Sequence, residues 1–418
     1  MSIQNNSRIL LDPEFSRKEF PALCGDWIFM DNAGGSQTLK KVTDRINKYL
    51  LTSDVQHGAS YNVSQLAMDR VSEAVKHMST FVNASEPSEI IMGSSTTMLL
   101  RILSLCLLHK FRAGDEVIVT NCDHEANIGP WADLEKHGLR VKVWQVNPNT
   151  FEMDLKELES LLTNKTRLVA VTHTSNIFGT IIPIKQIAEL VHSYGAKICV
   201  DGVAHAPHRL IDVKDTNVDF YAFSFYKTFG PHYALLYGKK EILLDIPGIN
   251  HYFIGRNEVP HKFQPGNLNF ELSYGTLGIS DYLADMFSFH YGEDKNINLR
   301  NKFEKAYDLI RNYEEKLSSH LLDYLKTKNQ ITIIGKEDPD KSFRVPTISF
   351  VVNKTDSESI VLKVDKYNIG IRFGDFYARR LIEFLGLASQ KGVVRVSLVH
   401  YNTIEEIDKL IEVFERIL

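Results

Sequence analysis

The chain has 418 residues, of which 44% are hydrophobic and 24% are charged, as in an ordinary globular protein. This length favours two domains over one. The net charge of −4 disfavours a nucleic-acid partner, and no apolar run is long and uninterrupted enough to predict a membrane span.

Neither the N-terminus nor the cysteines indicate secretion or a metal site. The first residues, MSIQNNSRILLDPEF, lack the basic and then apolar layout of a signal peptide. No CxxC pair occurs among the four cysteines, which are Cys24, Cys106, Cys122 and Cys199. No zinc site or redox pair is therefore predicted. Together these observations favour a cytoplasmic protein with reduced thiols and no bound metal.

From about residue 90 to residue 240, β-branched runs alternate with amphipathic segments. Helical periodicity is visible at 154–162 and at 184–195, where Gly195 is a candidate helix end. Near-continuous apolar strands that alternate with helices are typical of a mostly parallel sheet with both faces covered. The predicted strands are 116–121, 167–174, 196–201, 219–225 and 234–239.

The chain after residue 240 has a different pattern. The segment 241–295 reads as irregular and is too long for a simple connection, so we expect it to be functional or interfacial. A helix is predicted at 301–326, followed by shorter strands at 331–335, 347–352 and 392–399. A last helix follows at 403–418, with Thr403 and Glu406 forming a capping box. This pattern indicates a separate α+β domain.

Polar side chains follow four of the predicted strands, and these side chains are His124, Asn176, Asp201 and Lys227. Ligands of open parallel sheets bind beyond the carboxyl ends of the strands. Each residue alone is weak support, because an aspartate that ends a strand is more often a turn or cap residue. Their joint placement indicates a ligand site.

An amine and a carboxylate at one sheet edge fit pyridoxal 5'-phosphate (PLP). The amine of Lys227 would bind the cofactor aldehyde, and the carboxylate of Asp201 would keep the pyridine nitrogen protonated. His124 is placed to stack on the ring, although a purely structural histidine is an open alternative. Asn176 is placed to bond the ring oxygen and a substrate carboxylate.

The phosphate of such a cofactor also needs donors. Residues 93–97, GSSTT, follow an apolar run and open a helical pattern, so Ser94 and Ser95 are candidates for binding the phosphate at a helix N-terminus. An ordinary helix cap would look the same. Ser224 and Tyr226 flank Lys227 and offer further hydroxyls.

Several short motifs occur in a fixed order between Met30 and the C-terminus. They are MDNAG (30–34), DHEAN (123–127), SNIFGT (175–180), DG (201–202), SFYK (224–227), GT (275–276) and RVSLVHYNT (395–403). In type and order they resemble the class V aminotransferase family, specifically its cysteine desulfurase branch. The closest resemblance is to a desulfurase-like subgroup with YKxFGPHxxxLYG, GxFYA and VHYNT motifs.

This resemblance implies an α/β fold of PLP fold type I. A large domain would hold a mostly parallel seven-stranded sheet, beside a smaller α+β C-terminal domain. The expected parts are residues 1–28, an N-terminal segment packing with the small domain; residues 29–292, the large PLP-binding domain; and residues 293–418, the small domain. A homodimer with active sites at the subunit interface is also implied.

The family's residue roles can be transferred to matching positions. Lys227 would carry the cofactor as a Schiff base, with His124 stacked on the ring and Asp201 at the pyridine nitrogen. Arg395 would bind the substrate carboxylate, and Thr276 would reach the phosphate of the neighbouring subunit's cofactor. Ser94, Ser95, Asn176, Ser224 and Tyr226 complete the predicted cofactor site.

Three positions depart from the family pattern. Tyr377 stands where desulfurases carry the loop cysteine that takes the substrate sulfur, and a phenol cannot replace a thiolate near neutral pH. Ala204 replaces a glutamine that bonds the ring oxygen, and Tyr226 replaces the histidine before the lysine. The resemblance therefore supports cofactor binding better than persulfide transfer.

We accordingly predict a PLP-dependent enzyme that cleaves a C–S bond in a small L-amino acid without a persulfide-carrying loop cysteine. A sulfur acceptor is a possible partner. An aminotransferase or an epimerase on the same scaffold is an open alternative, since the first steps do not determine the reaction. A non-catalytic PLP-binding or interaction protein is a second alternative, of a different class.

Overall fold

The computed structural model describes residues 9–418, whose strands form sheets of two, four and seven strands. In chain order the strands are β1 (Ile28–Phe29), β2 (Ile90–Gly93), β3 (Glu116–Thr120), β4 (Arg140–Trp144), β5 (Thr166–Thr172), β6 (Lys197–Asp201), β7 (Phe220–Ser224), β8 (Ala234–Gly238), β9 (Ile331–Ile334), β10 (Thr347–Val352), β11 (Ile369–Gly370), β12 (Arg372–Gly374) and β13 (Val393–Ser397).

The α-helices connect and cover these strands. They are α1 (Pro13–Lys18), α2 (Lys40–Thr52), α3 (Asn62–Val82), α4 (Thr96–Leu108), α5 (Gly129–Ala132), α6 (Leu155–Leu161), α7 (Ile184–Ser193), α8 (Val213–Thr216), α9 (Lys240–Asp245), α10 (Phe270–Gly275), α11 (Leu277–Tyr291), α12 (Leu299–Lys326), α13 (Ser357–Val364), α14 (Arg379–Phe384) and α15 (Ile404–Ile417).

The seven-stranded sheet has the order β2-β8-β7-β6-β5-β3-β4. Strand β8 runs antiparallel to both of its neighbours, and the other pairs are parallel. Along β5, Leu168 and Ala170 face one apolar core, whereas Val169 and Val171 face the other. This alternation buries both faces of the sheet. The prediction of a mostly parallel seven-stranded sheet is confirmed.

The smaller, four-stranded sheet is antiparallel, in the order β12-β13-β10-β9. Its apolar core includes residues from α12 and α15. The predicted capping box is present at the start of α15, where Thr403 accepts from the Glu406 N–H and the Glu406 carboxylate accepts from the Thr403 N–H. Strands and helices mix here, as expected of the α+β part of the chain.

The N-terminal part of the described chain contacts two regions. The Arg17 guanidinium donates to the Tyr401 carbonyl and to the Glu406 carboxylate, both at 2.8 Å. The Asp12 N–H donates to the ring of His290 in α11 at 2.9 Å. Residues 1–8 of the predicted N-terminal segment lie outside the described residues. The domain boundaries at 28/29 and 292/293 stay predictions.

Two predictions about elements were incomplete or wrong. Strands β2 and β4 belong to the large sheet but were not predicted as strands. The segment 241–295, which was predicted to be irregular, contains α9, α10 and the 15-residue α11. Helix α11 packs against α2, α3 and α12, so it is apolar on several sides and lacks the one-faced pattern that identifies a surface helix.

Across residues 9–418, no helix combines the length and the apolar character that crossing a bilayer requires.

Candidate active site

Four adjacent strands of the large sheet end beside one pocket. Strands β7, β6, β5 and β3 are neighbours and parallel, so their carboxyl ends lie at the same edge. His124, Asn176, Asp201 and Lys227 all line the pocket there, which contains about 540 Å³ of empty space including its mouth. We call it the strand-end pocket. The structure thus brings together the four residues that sequence placed at strand ends.

Lys227 and Asp201 are both buried in this pocket, with 7% and 4% of their surfaces exposed. Burial lowers the pKa of the Lys227 amine to about 8, and the positive charge of Arg395 acts in the same direction. Burial raises the pKa of the Asp201 carboxyl to about 6, against the opposing effects of the Val203 N–H and of Lys227. Near neutral pH the solution is therefore within about one unit of the Lys227 pKa, and the Asp201 carboxylate is mostly ionised.

His124 follows β3 and is held as a neutral ring. Its Nδ1 accepts the Ala126 N–H at 3.0 Å, which places any ring proton on Nε2. Burial lowers the pKa of the imidazole to about 4, with Lys227 and Arg395 adding to the effect. A neutral, flat ring at the pocket wall is suited to stacking on an aromatic ligand.

Asn176 lines an adjoining wall of the pocket, and Arg395 contacts Asn176 without lining the pocket itself. The Arg395 Nη1 donates to the Asn176 carbonyl at 3.1 Å, and the Asn176 amide donates to the Phe376 carbonyl at 2.9 Å. Within residues 9–418, neither Asn176 Oδ1 nor Arg395 Nε has a hydrogen-bond partner, although both atoms are buried. An unpaired buried acceptor and donor are costly, so this wall is ready for a polar ligand.

The first turn of α4 closes another side of the pocket. Ser95 caps the helix by accepting the Met98 N–H at 3.2 Å, and the Thr96 and Ser224 hydroxyls bond each other at 2.8 Å. Thr97 and Tyr226 also line the pocket. Hydroxyls together with a helix N-terminus are the donors that a phosphate prefers. Ser95 is thus an N-cap as well as a pocket residue.

Three of the predicted residues, Ser94, Thr276 and Arg395, do not line the strand-end pocket, although Arg395 contacts the pocket residue Asn176. Ser94 is exposed and lines a neighbouring groove instead, because its side chain precedes the helix cap. Thr276 is fully buried within the chain, and its hydroxyl donates to the Ser273 carbonyl at 2.7 Å. The contact between Thr276 and the cofactor of a neighbouring subunit stays a prediction.

Other pocket residues were missed by the sequence reasoning. Thr97, Thr172 and Thr174 line the pocket, and Thr96 does so beside Ser224. Thr172 and Thr174 lie at the end of a predicted strand, where their position was a usable signal. Phe376 could not have been found in this way, since it reaches the site through a turn distant in sequence.

The turn after β12, where the resemblance predicts the desulfurase cysteine, reaches the site with aromatic residues. The Phe376 ring covers the Arg395 guanidinium at 3.7 Å, and the Tyr377 ring lies 5.2 Å from that of His124. None of the four cysteines lines the strand-end pocket. Cys122 is buried, its thiol donates to the Met153 sulfur at 3.6 Å, and burial raises its pKa to about 12. No reactive thiolate faces the pocket among the described residues.

The residues present fit PLP. A covalent anchor at Lys227, a buried anion at Asp201 and hydroxyls at the α4 end match the aldehyde, pyridine nitrogen and phosphate of that cofactor. The unpaired Asn176 Oδ1 is an acceptor and the unpaired Arg395 Nε–H is a donor, so both are free for the remaining polar groups of the cofactor and an amino acid. The arrangement is able to bind an amino acid by its carboxylate and to accept a proton at a nearby amine.

Comparisons with known proteins agree with this geometry. The profile of the family "Aminotransferase class-V" matches residues 28–410. The aminotransferase-like protein FGM3 of Gibberella zeae is 43% identical over 411 residues, covering 96% of this chain and 97% of that protein. The cysteine desulfurase-like protein ustD of Aspergillus flavus is 34% identical over 409 residues, covering 95% and 89%.

A solved structure shows the same architecture. The apo structure of a cysteine desulfurase from Thermococcus onnurineus NA1 superposes with a TM-score of 0.86 at 26% identity, covering 97% of this chain and 98% of that one.

Proposed function

The chain belongs to the class V aminotransferase family and to its cysteine desulfurase-like subgroup of PLP-dependent enzymes, and we propose that it cleaves the carbon–sulfur bond of a small L-amino acid. One observation carries this proposal. The buried amine of Lys227, the buried carboxylate of Asp201 and the side chain of Asn176 line one pocket that lacks a thiol, and Arg395 contacts Asn176 beside it.

PLP would be held at three points. Lys227 Nζ would carry the aldehyde carbon, the Asp201 carboxylate would face the pyridine nitrogen, and the Ser95, Thr96 and Ser224 hydroxyls would receive the phosphate. His124 would stack on the ring. Bound there, PLP supplies an electron sink for the charge that develops at the substrate α-carbon.

Lys227 and Asp201 have complementary tasks in the reaction. With its pKa lowered to about 8, a substantial fraction of Lys227 is neutral slightly above pH 7, so Nζ is able to take the α-proton. The pKa of Asp201, at about 6, keeps its carboxylate ionised at that pH, which holds a proton on the ring nitrogen opposite. Burial brings the pKa values of Lys227 and Asp201 closer to neutral pH, at which both groups would act.

Arg395 and Asn176 would orient the substrate. A guanidinium binds a carboxylate in a planar, bidentate contact, and Arg395 has an unpaired Nε–H as one half of that contact. The backbone carbonyl of Asn176 accepts from the Arg395 Nη1 at 3.1 Å. Phe376 covers the guanidinium face and excludes water, which strengthens the charge pairing.

The sulfur would leave without passing to a protein cysteine. The sequence resemblance puts Tyr377 at the position of the desulfurase thiol, and Cys122 is buried outside the strand-end pocket. With L-cysteine and water, the products would be sulfide, pyruvate and ammonia. If a separate acceptor thiol took the sulfur, the products would be alanine and the persulfide of that acceptor.

A homodimer is part of the proposal. Several large apolar side chains are exposed on the single chain. We propose that an interface would cover Leu51, Tyr61, Leu66, Tyr252 and Phe253. Tyr252 and Phe253 are 99% and 66% exposed in the irregular stretch before α10. Exposed apolar groups of this size are typical of association surfaces.

An aminotransferase is the second candidate. The relative FGM3 is named aminotransferase-like and is 43% identical to this chain. The residues that bind the substrate and take the α-proton are shared by both reactions, so the pocket accommodates either.

Two measurements test the proposal. The holoenzyme is incubated with L-cysteine, L-cystine and thioether amino acids, and sulfide, pyruvate and alanine are quantified. Lys227→Ala should lose both turnover and the visible absorption of the lysine-bound cofactor. Lys239→Ala, a partly buried lysine paired with Asp219, should retain both.

Two outcomes would redirect the assignment. Amino exchange that needs a keto acid, without elimination, would establish the aminotransferase. A full visible band without turnover on any amino acid would indicate a non-catalytic PLP-binding protein.

A further inference from the structure

Arg395 has an incomplete set of partners in the free chain. Its side chain is 2% exposed, Nη1 donates to the Asn176 carbonyl at 3.1 Å, and Nη2 donates to Asp31 Oδ1 at 2.9 Å. The Nε–H is buried and has no partner within the described chain. An incoming carboxylate would find one free N–H, and it would have to share or exchange the Nη2 contact with Asp31.

Asp31 reaches Arg395 from the segment after β1. Space for its carboxylate exists because residue 34 is glycine: a Cβ there would lie 2.6 Å from Asp31 Oδ2. The Asp31 backbone is fixed by a bridge to Ser397 at the end of β13. The carboxylate is therefore held beside the strand that carries Arg395.

Asp31 also has a second arginine within reach. Arg372 and Arg395 are register partners on the antiparallel strands β12 and β13. Asp31 Oδ2 lies 3.7 Å from Arg372 Nη1, and the Arg372 side chain is 55% exposed. A small movement of the Asp31 carboxylate would exchange the buried Arg395 for the half-exposed Arg372 as its partner.

A buried guanidinium requires an anion, and Asp31 provides it when no substrate is bound. A second carboxylate on the same guanidinium would be repelled by Asp31. We propose that Asp31 is a specificity-determining residue whose carboxylate occupies the substrate-carboxylate position on Arg395 and moves to Arg372 when a substrate carboxylate binds. The inference rests on the proposed function only in taking Arg395 as the carboxylate site.

This arrangement selects ligands by charge. A ligand with a carboxylate can take over the Nε and Nη2 donors, and Asp31 then keeps an ionic partner in Arg372. An amine without a carboxylate cannot replace Asp31, so Arg395 remains closed to it. The exchange favours amino acids over the corresponding amines.

The test uses propionate, a carboxylate that has no amine and does not react with the cofactor. Its dissociation constant for the holoenzyme is measured by calorimetry for the unmodified protein and for Asp31→Asn. The asparagine keeps the shape and the acceptor oxygen but removes the competing charge. We expect Asp31→Asn to bind propionate about tenfold more tightly, which corresponds to about 1.4 kcal/mol. An unchanged or weaker affinity would overturn the proposal.

Thermal unfolding gives a second readout that does not depend on catalysis. Without propionate, Asp31→Asn should unfold at a lower temperature, because Arg395 is then buried without an anion. Propionate should restore the unfolding temperature. Asp281→Asn is the matched control, since Asp281 forms a bidentate pair with Arg45 at 2.6 and 2.9 Å. Propionate should not restore that variant, and a similar restoration would count against a specific site.

Arg372→Gln tests the exchange itself and does not require the buried pair to be altered. Without Arg372, Asp31 loses its alternative partner, so propionate should bind several-fold more weakly. An unchanged affinity would rule out the movement to Arg372. Both affinities are measured without turnover. If no amino acid reacts, the proposed function fails, whereas the propionate results still decide the role of Asp31.

Discussion

Burial accounts for the chemical state of the residues in the strand-end pocket. It lowers the pKa of Lys227 to about 8 and that of His124 to about 4, and it raises the pKa of Asp201 to about 6. In each case the buried environment disfavours the charged form, and neighbouring charges modify the result. Lys227 is thus a usable base near neutral pH only because the sheet edge is covered.

The same burial should destabilise the cofactor-free protein. An unfolded lysine titrates near pH 10.5, whereas Lys227 in the folded chain titrates near pH 8. Between these values the unfolded chain binds more protons at this site, so the free energy of unfolding rises with pH. Below pH 8 the buried ammonium costs on the order of 3 kcal/mol.

Lys227→Met should therefore stabilise the cofactor-free protein at pH 7. The difference from the unmodified protein should shrink as the pH rises from 8 to 10.5, because the unmodified lysine then becomes neutral in the folded chain and later in the unfolded chain. Urea denaturation of both proteins at pH 7 and pH 10 measures this. A stability difference of the same size at both values would contradict the assigned pKa.

At the scale of elements, α4 combines a structural and a binding role at its first turn. Ser95 caps the helix and lines the strand-end pocket, and Thr96 and Thr97 follow at the same end. Helix α15 has a comparable cap, formed by Thr403 and Glu406, and Thr403 does not line this pocket. The two caps allow the structural effect to be separated from the binding effect.

We expect Ser95→Ala and Thr403→Ala each to lower the free energy of unfolding by about 1 kcal/mol through loss of the cap. Only Ser95→Ala should also weaken PLP binding several-fold, since only this cap faces the pocket. Urea denaturation and titration of the cofactor-free protein with PLP provide the two measurements. Equal PLP affinities for the two variants would exclude Ser95 from the cofactor site.

The turn after β12 is a second element with a particular conformation. Phe376 and Tyr377 both have positive φ, at 51° and 60°, a region that large side chains rarely occupy. Contacts with the site hold this turn: the Phe376 carbonyl accepts the Asn176 amide, and the Tyr377 carbonyl accepts the Glu125 N–H at 2.8 Å. The strain is thus maintained where the turn contacts Asn176 and Glu125.

At the scale of the whole molecule, exposed apolar side chains indicate association. Phe253 is 66% exposed before α10, and Leu362 is 54% exposed on α13 beside the small sheet. The proposed homodimer would use the surface around Phe253. Leu362 serves as a control of similar exposure on a different face.

Phe253→Glu should shift the protein toward the monomer, because a charge would have to be buried at the interface. Leu362→Glu should leave the association unchanged. Sedimentation velocity over a range of protein concentrations distinguishes these results. If Phe253→Glu associates as strongly as the unmodified protein, the interface lies elsewhere.

Much of the fold and of the site could be predicted from sequence. The strand ends that carry His124, Asn176, Asp201 and Lys227 were predictable because apolar strands and the polar residues after them are local patterns. The Thr403 cap was predictable for the same reason. Helix α11 was not, because burial on several sides removes the one-faced pattern on which helix prediction depends.

What only the tertiary structure decided is which distant residues meet. Asp31 contacts Arg395 across 364 positions, and Phe376 contacts Asn176 across 200. Whether a hydroxyl faces a pocket or another carbonyl, as with Ser95 and Thr276, depends on how helices pack. Local sequence determines most strands, helices and caps through backbone preference and periodicity, whereas α11, β2 and β4 became evident only in the folded chain. Side-chain partners and pKa values depend on burial, which arises only when the whole chain has folded.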